Sequence, residues 1–221
     1  MAAWYPSPSP YFWLGVYIGG SNRGCSQPNL TASWVSQVTA SQAWYLEPIW
    51  VGPQSACWSG PSTAPRISSN TATASSQGTA EAQAAVRALT SLGFSPGTDY
   101  NTPVVYDLEA FNGTSACRAS AQAFIKAWNS YLGSTPRQAS GVYGSTAGSY
   151  LSDYAGSPPP NFIWGALYDN NSDTNVLTPV PSNAWSHGQR LKQYQGGHNE
   201  THGGITLNID TDSANGPVYG S

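Results

Sequence analysis

The sequence has few charged residues and no long apolar run. Only 9% of the 221 residues are charged, and the formal net charge is -3. Such a chain lacks the basic patches with which proteins bind nucleic acid or anionic membranes, so we expect neither partner. The absence of any run of about 18 apolar residues excludes a transmembrane helix. The N-terminal MAAWYPSPSP has neither the basic nor the apolar region of a signal peptide, so we expect no export signal in it.

Cysteine is also scarce. Cys25, Cys57 and Cys117 make an odd number in a chain whose composition is otherwise typical of secreted proteins. One thiol is therefore left without a partner, and the sequence does not assign the pair. There is no GxSxG elbow and no sign of a catalytic thiol, which disfavours serine and cysteine hydrolases.

What the sequence does contain is a regular alternation of short apolar runs and helix-period stretches. Seven strands are predicted, at 14–18, 44–51, 104–108, 140–143, 162–167, 191–194 and 205–209. Helices are predicted at 79–92 and 115–132, with weaker ones at 30–41 and 146–154. This order predicts parallel strands joined by crossover helices. A TIM (β/α)8-type barrel is favoured over a doubly wound sheet, because Gly141, Gly144 and Gly148 lack the spacing of a phosphate-binding loop.

We expect residues 1–221 to form one domain. The low-complexity segment SGPSTAPRISSNTATASSQ at 59–77 is rich in Ser, Thr, Ala and Pro, which predicts a long loop within the alternation. Loops that follow barrel strands frame the active site at the carboxyl end of the strands. The loop therefore belongs to the barrel and is not a domain linker.

Two carboxylates end the apolar run VVYDLEAF at 104–111. In a strand, positions i and i+2 face the same side, so Asp107 and Glu109 project together. Two carboxyl groups this close do not both ionise freely, so one pKa rises and that group becomes a proton donor, as glycosidic cleavage requires. The alternative is structural, with Asp107 capping the next segment and Glu109 solvated on the loop.

A second group of acids follows the last apolar run, in LNIDTD. Asp210 ends the run and is preferred to Asp212 as a site residue, and a polar C-terminal tail is the alternative. In HNETH, His198 and His202 could suggest a metal. The flanking glycine pairs oppose the helix that would bring both histidines to one face, so no metal site and no cofactor are predicted.

Aromatic residues make up 12% of the chain and could stack on sugar rings. Trp50, Trp164 and Trp185 lie at or near predicted strand ends, and Tyr106 lies inside the motif with the acid pair. These four residues are the predicted substrate contacts. A buried position in the core is the alternative for each indole.

Several motifs occur in an order that resembles one family. They are GVYIGG at 15–20, QPNLT at 27–31, PIWVGPQ at 48–54, VVYDLEAF, AFIKAW at 123–128, GVYGS at 141–145 and QYQGG followed by ITLNID. Together they resemble the glycoside-hydrolase-like TIM-barrel domain of secreted actinobacterial proteins, a domain of unknown function related to the family 25 lysozymes. The resemblance covers nearly the whole chain.

The resemblance implies a barrel that acts on peptidoglycan outside the cell or in its wall, as a monomer. It implies that Glu109 is the general acid and that Asp107 orients or stabilises the N-acetyl group of the substrate. Asp210 matches the aspartate of the last strand, which lines the same site. Family members begin with a further strand that carries an aspartate, and no such strand is recognisable before GVYIGG. We therefore expect a barrel that is incomplete at its N-terminus, and we interpret Met1 as an internal methionine of a longer protein.

The sequence thus predicts a lysozyme-type glycan hydrolase with a carboxylate pair. Two alternatives remain open. One is a non-catalytic barrel that binds cell-wall glycan, and the other is an inactive fragment of such an enzyme.

Overall fold

The described residues form a curled sheet of seven strands in the order of the sequence. The computed structural model describes residues 3–4, 9–41, 44–95, 102–134, 138–156 and 158–220. The strands are β1 (Trp13–Gly19), β2 (Tyr45–Trp50), β3 (Pro103–Asp107), β4 (Ala139–Ser145), β5 (Phe162–Ala166), β6 (Arg190–His202) and β7 (Ile205–Asn215). All seven predicted strands are confirmed, and the sheet is an incomplete TIM-like barrel in which β1 and β7 are the edges.

The last strand runs in the opposite direction from the prediction. Neighbouring strands from β1 to β6 pair in parallel, whereas β6 and β7 pair antiparallel as a long hairpin. Its turn is formed by Gly203 and Gly204, which have φ angles of 54° and 77°. Glycine adopts positive φ without steric cost, and two such residues suit the tight turns that join hairpin strands. The chain thus returns directly as a hairpin, and the last strand is not parallel to its neighbour as the barrel prediction required.

The helices pack outside the sheet. They are α1 (Ala32–Ser36), which continues as a π-helical turn (Gln37–Ser41), α2 (Thr71–Ser91) and α3 (Ser115–Ser134), and a short 3-10 helix spans Leu151–Ala155. The weak helix predicted at 146–154 is therefore mostly a turn followed by this 3-10 helix.

The start of α2 corrects the predicted loop at 59–77, which is a loop only as far as Asn70. The Asn70 side chain accepts a hydrogen bond from the backbone N–H of Thr73 at 3.0 Å and caps the helix. The first turns of α2 carry little hydrophobic signal because small residues face α3. A Cβ on Gly78 would lie 2.2 Å from the carbonyl oxygen of Phe124, so this close approach requires glycine.

The two faces of the sheet bury different sets of side chains. On β3 and just after it, Val104, Tyr106 and Leu108 pack towards the helices, and Val105 and Asp107 point into the barrel. This is the two-residue alternation of a strand. The inward set has an apolar cluster formed by Ile49, Val51, Val105, Ala139, Phe162, Trp164 and Leu191.

Cys57 and Cys117 form a disulfide, and Cys25 is free and exposed. The disulfide joins the loop after β2 to the first turn of α3. None of the helices in the described ranges is long and apolar enough to cross a membrane.

Candidate active site

A cleft of about 350 Å³ opens at the carboxyl ends of the parallel strands. Its lining comes from most of the sheet and from the N-terminal segment: Trp4, Tyr11, Trp13, Leu14, Gly15, Tyr17, Trp44, Ile49, Asp107, Glu109, Tyr143, Trp164, Gln193, Leu207, Ile209, Asp210 and Asp212. Four of these side chains are carboxylates. Within the described part of the chain, no lysine, arginine or histidine lines the cleft.

The first carboxylate pair is at the end of β3. Asp107 is 5% exposed, and burial, together with the nearby charge of Glu109, raises the pKa of Asp107 to about 7. Glu109, two residues further on, is exposed at the mouth of the cleft, and partial burial of its carboxyl group raises the pKa of Glu109 above its usual value. The pair therefore has at least one group that is partly protonated near neutral pH.

The two residues differ in their contacts. Among the described residues, Oδ1 of Asp107 has no hydrogen-bond partner, although it is removed from solvent. The backbone N–H of Glu109 donates to Oε1 of Gln54 at 2.8 Å, which fixes the start of the loop that carries Glu109. Asp107 thus presents an unpaired oxygen deep in the cleft, and Glu109 presents its carboxyl at the entrance.

The second carboxylate pair is on β7. Asp210 and Asp212 both line the cleft, so the structure brings the predicted Asp210 close to the β3 pair. Asp212, which the sequence ranks lower, is the less exposed of the two. Its Oδ1 accepts a hydrogen bond from Nε1 of Trp164 at 2.8 Å. Burial raises the pKa of Asp212 to about 7, and the charge of Asp210 adds to this effect while the Trp164 bond opposes it.

A network of aromatic and amide side chains forms the wall beside the acids. Oε1 of Gln193 accepts hydrogen bonds from the hydroxyls of Tyr143 at 2.7 Å and Tyr168 at 3.0 Å. Trp164 packs edge-on against Tyr143, with ring centroids 5.2 Å apart. Tyr168 is 63% exposed, so one aromatic face remains available beside the cleft.

Of the predicted sugar contacts, only Trp164 lines the cleft. Tyr106 is fully buried on the helix side of β3, where its hydroxyl donates to the carbonyl of Pro53 at 2.6 Å. Trp50 also faces the helices, and its Nε1 donates to Oε2 of Glu81 at 2.6 Å. Trp185 is buried away from the cleft and donates to the carbonyl of Pro160. These three positions are corrected to core residues.

Sequence reasoning missed several residues that line or border the cleft, namely Tyr17, Tyr143, Tyr168 and Gln193, and it ranked Asp212 below Asp210. A usable signal was present in the strand alternation. Because Asp107 points into the barrel, Tyr106 beside it must point out, and the same rule sets Trp50 opposite to Ile49. Tyr143 lies directly opposite Asp107 in the β3–β4 pairing and therefore points inward with it.

The histidines of HNETH lie on the β6–β7 hairpin and contact a carboxylate. Both oxygens of Glu200 are occupied, one by Nε2 of His198 and the other by Nε2 of His202, each at 2.9 Å. The hydroxyl of Tyr11 also donates to Glu200, at 2.8 Å. These contacts hold the pKa of Glu200 at about 2, with the His202 bond as the largest cause. Across the described ranges, no group of three or more acidic, histidine or cysteine side chains could hold a metal ion.

The overall shape matches that of two solved structures. The modular autolysin LytC from Streptococcus pneumoniae superposes with a TM-score of 0.56 at 16% identity, over 91% of this chain and 40% of that one. The spore cortex lytic enzyme SleM from Clostridium perfringens superposes with a TM-score of 0.57 at 13% identity, over 93% of this chain and 60% of that one. The chain thus spans less than two thirds of either protein, and at these identities the likeness shows the fold alone.

A search of curated proteins finds no match to this sequence. The model of one protein family, described as the Rv2525c-like, glycoside hydrolase-like domain, matches residues 2–214. This match agrees with the order of motifs along the chain and with the acidic cleft at the carboxyl ends of the strands. The chain belongs to the Rv2525c-like, glycoside hydrolase-like domain family.

Proposed function

We propose that this domain cleaves a glycosidic bond of cell-wall peptidoglycan, with Glu109 as the general acid and Asp107 as its partner. The observation that carries the proposal is the β3 acid pair, which lies in an open cleft with the pKa of both carboxyl groups raised by burial. A raised pKa keeps a proton on the pair near neutral pH, and glycoside hydrolysis needs that proton for the leaving oxygen.

The difference in exposure supports this division of roles. A general acid must come within hydrogen-bond reach of the leaving oxygen, and Glu109 is the member of the pair at the cleft mouth. Asp107 lies deeper, and its Oδ1 has no partner among the described residues. This oxygen is suited to accept a hydrogen bond from the N–H of an acetamido group and so to orient that group.

In the proposed reaction, the acetamido carbonyl oxygen attacks the anomeric carbon while the bond to the leaving oxygen breaks. Glu109 gives its proton to that oxygen. Glu109, now ionised, then takes a proton from the water that opens the cyclic intermediate, so the enzyme returns to its first state. Asp210 lines the same cleft and contributes negative charge near the positive charge that develops on the sugar.

The substrate is inferred from the walls of the cleft. Tyr17, which is 42% exposed, offers aromatic surface to a sugar ring, whereas Trp164 lines the cleft but is buried, and no basic side chain from the described residues is there to bind an anionic group. This favours neutral N-acetylated sugars at the centre of the cleft. The names of the two structural relatives, an autolysin and a spore cortex lytic enzyme, support a cell-wall glycan. Such a substrate places the domain outside the cell or in its wall, and we propose that it acts there as a monomer.

The test is the release of soluble muropeptides from purified peptidoglycan, measured by chromatography and mass spectrometry. We expect release by the wild type and a loss of roughly 100- to 10,000-fold in Glu109→Gln. Glu81→Gln is the matched control, because Glu81 is also a partly buried glutamate with a raised pKa but bonds Trp50 on the helix side. It should retain activity.

Binding of peptidoglycan without any release, unchanged in Glu109→Gln, would contradict catalysis and identify a glycan-binding module. Neither binding nor release from a protein that melts cooperatively would reject both functions.

A further inference from the structure

Gln54 is a fully buried amide next to the acid pair, on the loop that follows β2. We propose that Gln54 is a positioning residue, whose side chain holds the backbone on both sides of Leu108 and thereby sets where Asp107 and Glu109 stand. This inference rests on the proposed function of the acid pair. It assigns Gln54 a role that acts through the backbone, without contact to the substrate.

The side chain of Gln54 makes two short hydrogen bonds to the end of β3. Its Nε2 donates to the carbonyl of Asp107 at 2.8 Å, and its Oε1 accepts from the backbone N–H of Glu109 at 2.8 Å. A residue of a parallel neighbouring strand would bond the same two groups on either side of Leu108. The amide of Gln54 therefore takes the place of one strand residue.

The Gln54 side chain makes these bonds just beyond the point where the backbone pairing of β2 with β3 ends. The pairing of β2 with β3 ends at Trp50 opposite Tyr106. On the other side of β3, the backbone N–H of Leu108 still donates to the carbonyl of Tyr143 at 3.0 Å. Without Gln54, the backbone at Asp107 and Glu109 would lose these two hydrogen bonds on the β2 side, where the next backbone bond runs from Asn112 to Cys57.

Gln54 is itself held in place by its own backbone. Its N–H donates to the carbonyl of Pro65 at 3.1 Å, and its carbonyl accepts from the N–H of Ile67 at 2.7 Å. Its Nε2 also donates to the carbonyl of Gly52 at 3.2 Å. A side chain with both ends fixed can hold a reacting group within the small tolerance that catalysis requires, since a misplacement of about 1 Å can cost about 100-fold in rate.

The first experiment compares Gln54→Met with Gln138→Met. Gln138 is also fully buried and donates through Nε2 to the backbone of the same strand, but at its far end, to the carbonyl of Thr102 at 2.5 Å. Both variants should melt at a lower temperature. Only Gln54→Met should lower kcat, by roughly 10- to 100-fold with KM changed less than about 3-fold. Its alkaline fall in activity should also begin at lower pH, because a freed Glu109 carboxyl becomes more solvated and its pKa decreases.

A folded Gln54→Met protein with wild-type kcat and pH profile would overturn the proposal. An equal loss of kcat in both variants would also overturn it, because the effect would then be general loosening of the strand.

The second measurement needs no variant and no activity. Hydrogen exchange of the wild-type protein, followed by NMR, should show the Glu109 amide protected at least about 10-fold relative to an unstructured peptide, since it is bonded to a buried acceptor. Exchange at the unprotected rate would overturn the proposal even if the variant failed to fold. If the wild type releases no muropeptides but this amide is protected, the proposed function fails, while the conclusion that the Gln54 side chain holds the backbone of Asp107 and Glu109 is retained.

Discussion

In both carboxylate pairs of the cleft the two acids are two residues apart, but the order of the buried and the exposed residue is reversed between the pairs. On β3 the buried residue comes first and the exposed residue second, as Asp107 and then Glu109. On β7 the exposed residue comes first, as Asp210, and the less exposed Asp212 follows. The reason is strand direction, because β3 runs towards the mouth of the cleft and the antiparallel β7 runs away from it. In the i, i+2 pattern, the second acid is therefore the exposed one on β3, and the first acid is the exposed one on β7.

The inner members also differ in their partners. Oδ1 of Asp212 is occupied by the indole N–H of Trp164, whereas Oδ1 of Asp107 has no partner among the described residues. Both carboxyl groups have a pKa of about 7, and burial is the main cause in each case. The two carboxyl groups thus bind a proton with similar affinity, but only the Oδ1 atom of Asp107 is available to a substrate. We therefore expect the two residues to have different roles.

The largest expected effect is a difference in kcat between the variants Asp107→Asn and Asp212→Asn. We expect the first to lower kcat on peptidoglycan by at least about 100-fold, because the amide carries no negative charge and puts an NH2 donor in place of one of the oxygens that we propose orient the substrate. The second should cost about 10-fold or less, since its oxygen already bonds within the protein. Muropeptide release at saturating substrate measures both. A larger loss in Asp212→Asn would mean that the β7 pair carries the chemistry.

The pH profile compares the pairs in a second way. The proposed reaction needs a proton on Glu109, which titrates as a coupled pair with Asp107; the pKa of Asp107 is about 7 and that of Glu109 is raised, so hydrolysis should be retained at acidic pH and should fall by up to about tenfold per pH unit once the pair loses its last proton. In Asp212→Asn the midpoint should stay in place, because the β3 pair is unchanged. The measurement is kcat/KM between pH 5 and about 9. A midpoint that moves with Asp212 and not with Asp107 would reverse the assignment.

Glu47 on β2 is a buried acid that does not line the cleft, so it shows the effect of burial outside the candidate site. It is fully buried, neither of its oxygens has a partner among the described residues, and burial raises its pKa well above the usual value. Because the folded pKa exceeds the unfolded one, the wild type loses stability as pH rises above the unfolded pKa. Glu47→Met should therefore increase the free energy of unfolding by about 1–3 kcal/mol at pH 8 and by less at pH 4.

Urea unfolding at the two pH values measures this gain, with Glu47→Gln as the matched polar control that does not titrate. A gain in Glu47→Met that is independent of pH would show that the pKa of Glu47 is the same in the folded and the unfolded protein, and so is not raised by burial.

The smallest effect should come from Trp164→Phe, which removes the N–H donor of Asp212. The pKa of Asp212 should rise further, because the bond that opposes burial is lost. The free energy of unfolding should decrease by about 1 kcal/mol. A carboxyl titration followed by NMR measures the first change and thermal unfolding the second. An unchanged titration of Asp212 would show that the hydrogen bond does not control its protonation.

The sequence was sufficient for the strands and for the β3 pair. Apolar runs of four to eight residues locate each strand without reference to tertiary structure. The outward positions of Tyr106 and Trp50 also follow from alternation, once Asp107 and Ile49 are known to point inward. The direction of β7 was indicated by the glycine pair at Gly203, flanked by strand-like segments on both sides, which is a hairpin signal.

Other features could not be read from the sequence, for a physical reason. The role of Gln54 depends on a side chain that replaces a missing strand residue, and no periodicity marks such a contact. The helical start at Thr71 is hidden because its buried residues are small and its stability comes from packing against α3. Trp185 satisfies its indole N–H with a distant backbone carbonyl, so its burial depends on the fold as a whole.

The disulfide constrains the segment of the chain that carries the acid pair. Cys57 and Cys117 are 60 positions apart, and the ring that they close contains α2, β3, Asp107 and Glu109. Closing a loop of this length removes conformational freedom from the unfolded chain, worth about 4 kcal/mol in the chain-entropy account. The acids that would hydrolyse the glycan are thus inside a loop whose closure depends on oxidation of two thiols. Reducing conditions would therefore weaken the scaffold around the acid pair without altering a single residue of the cleft.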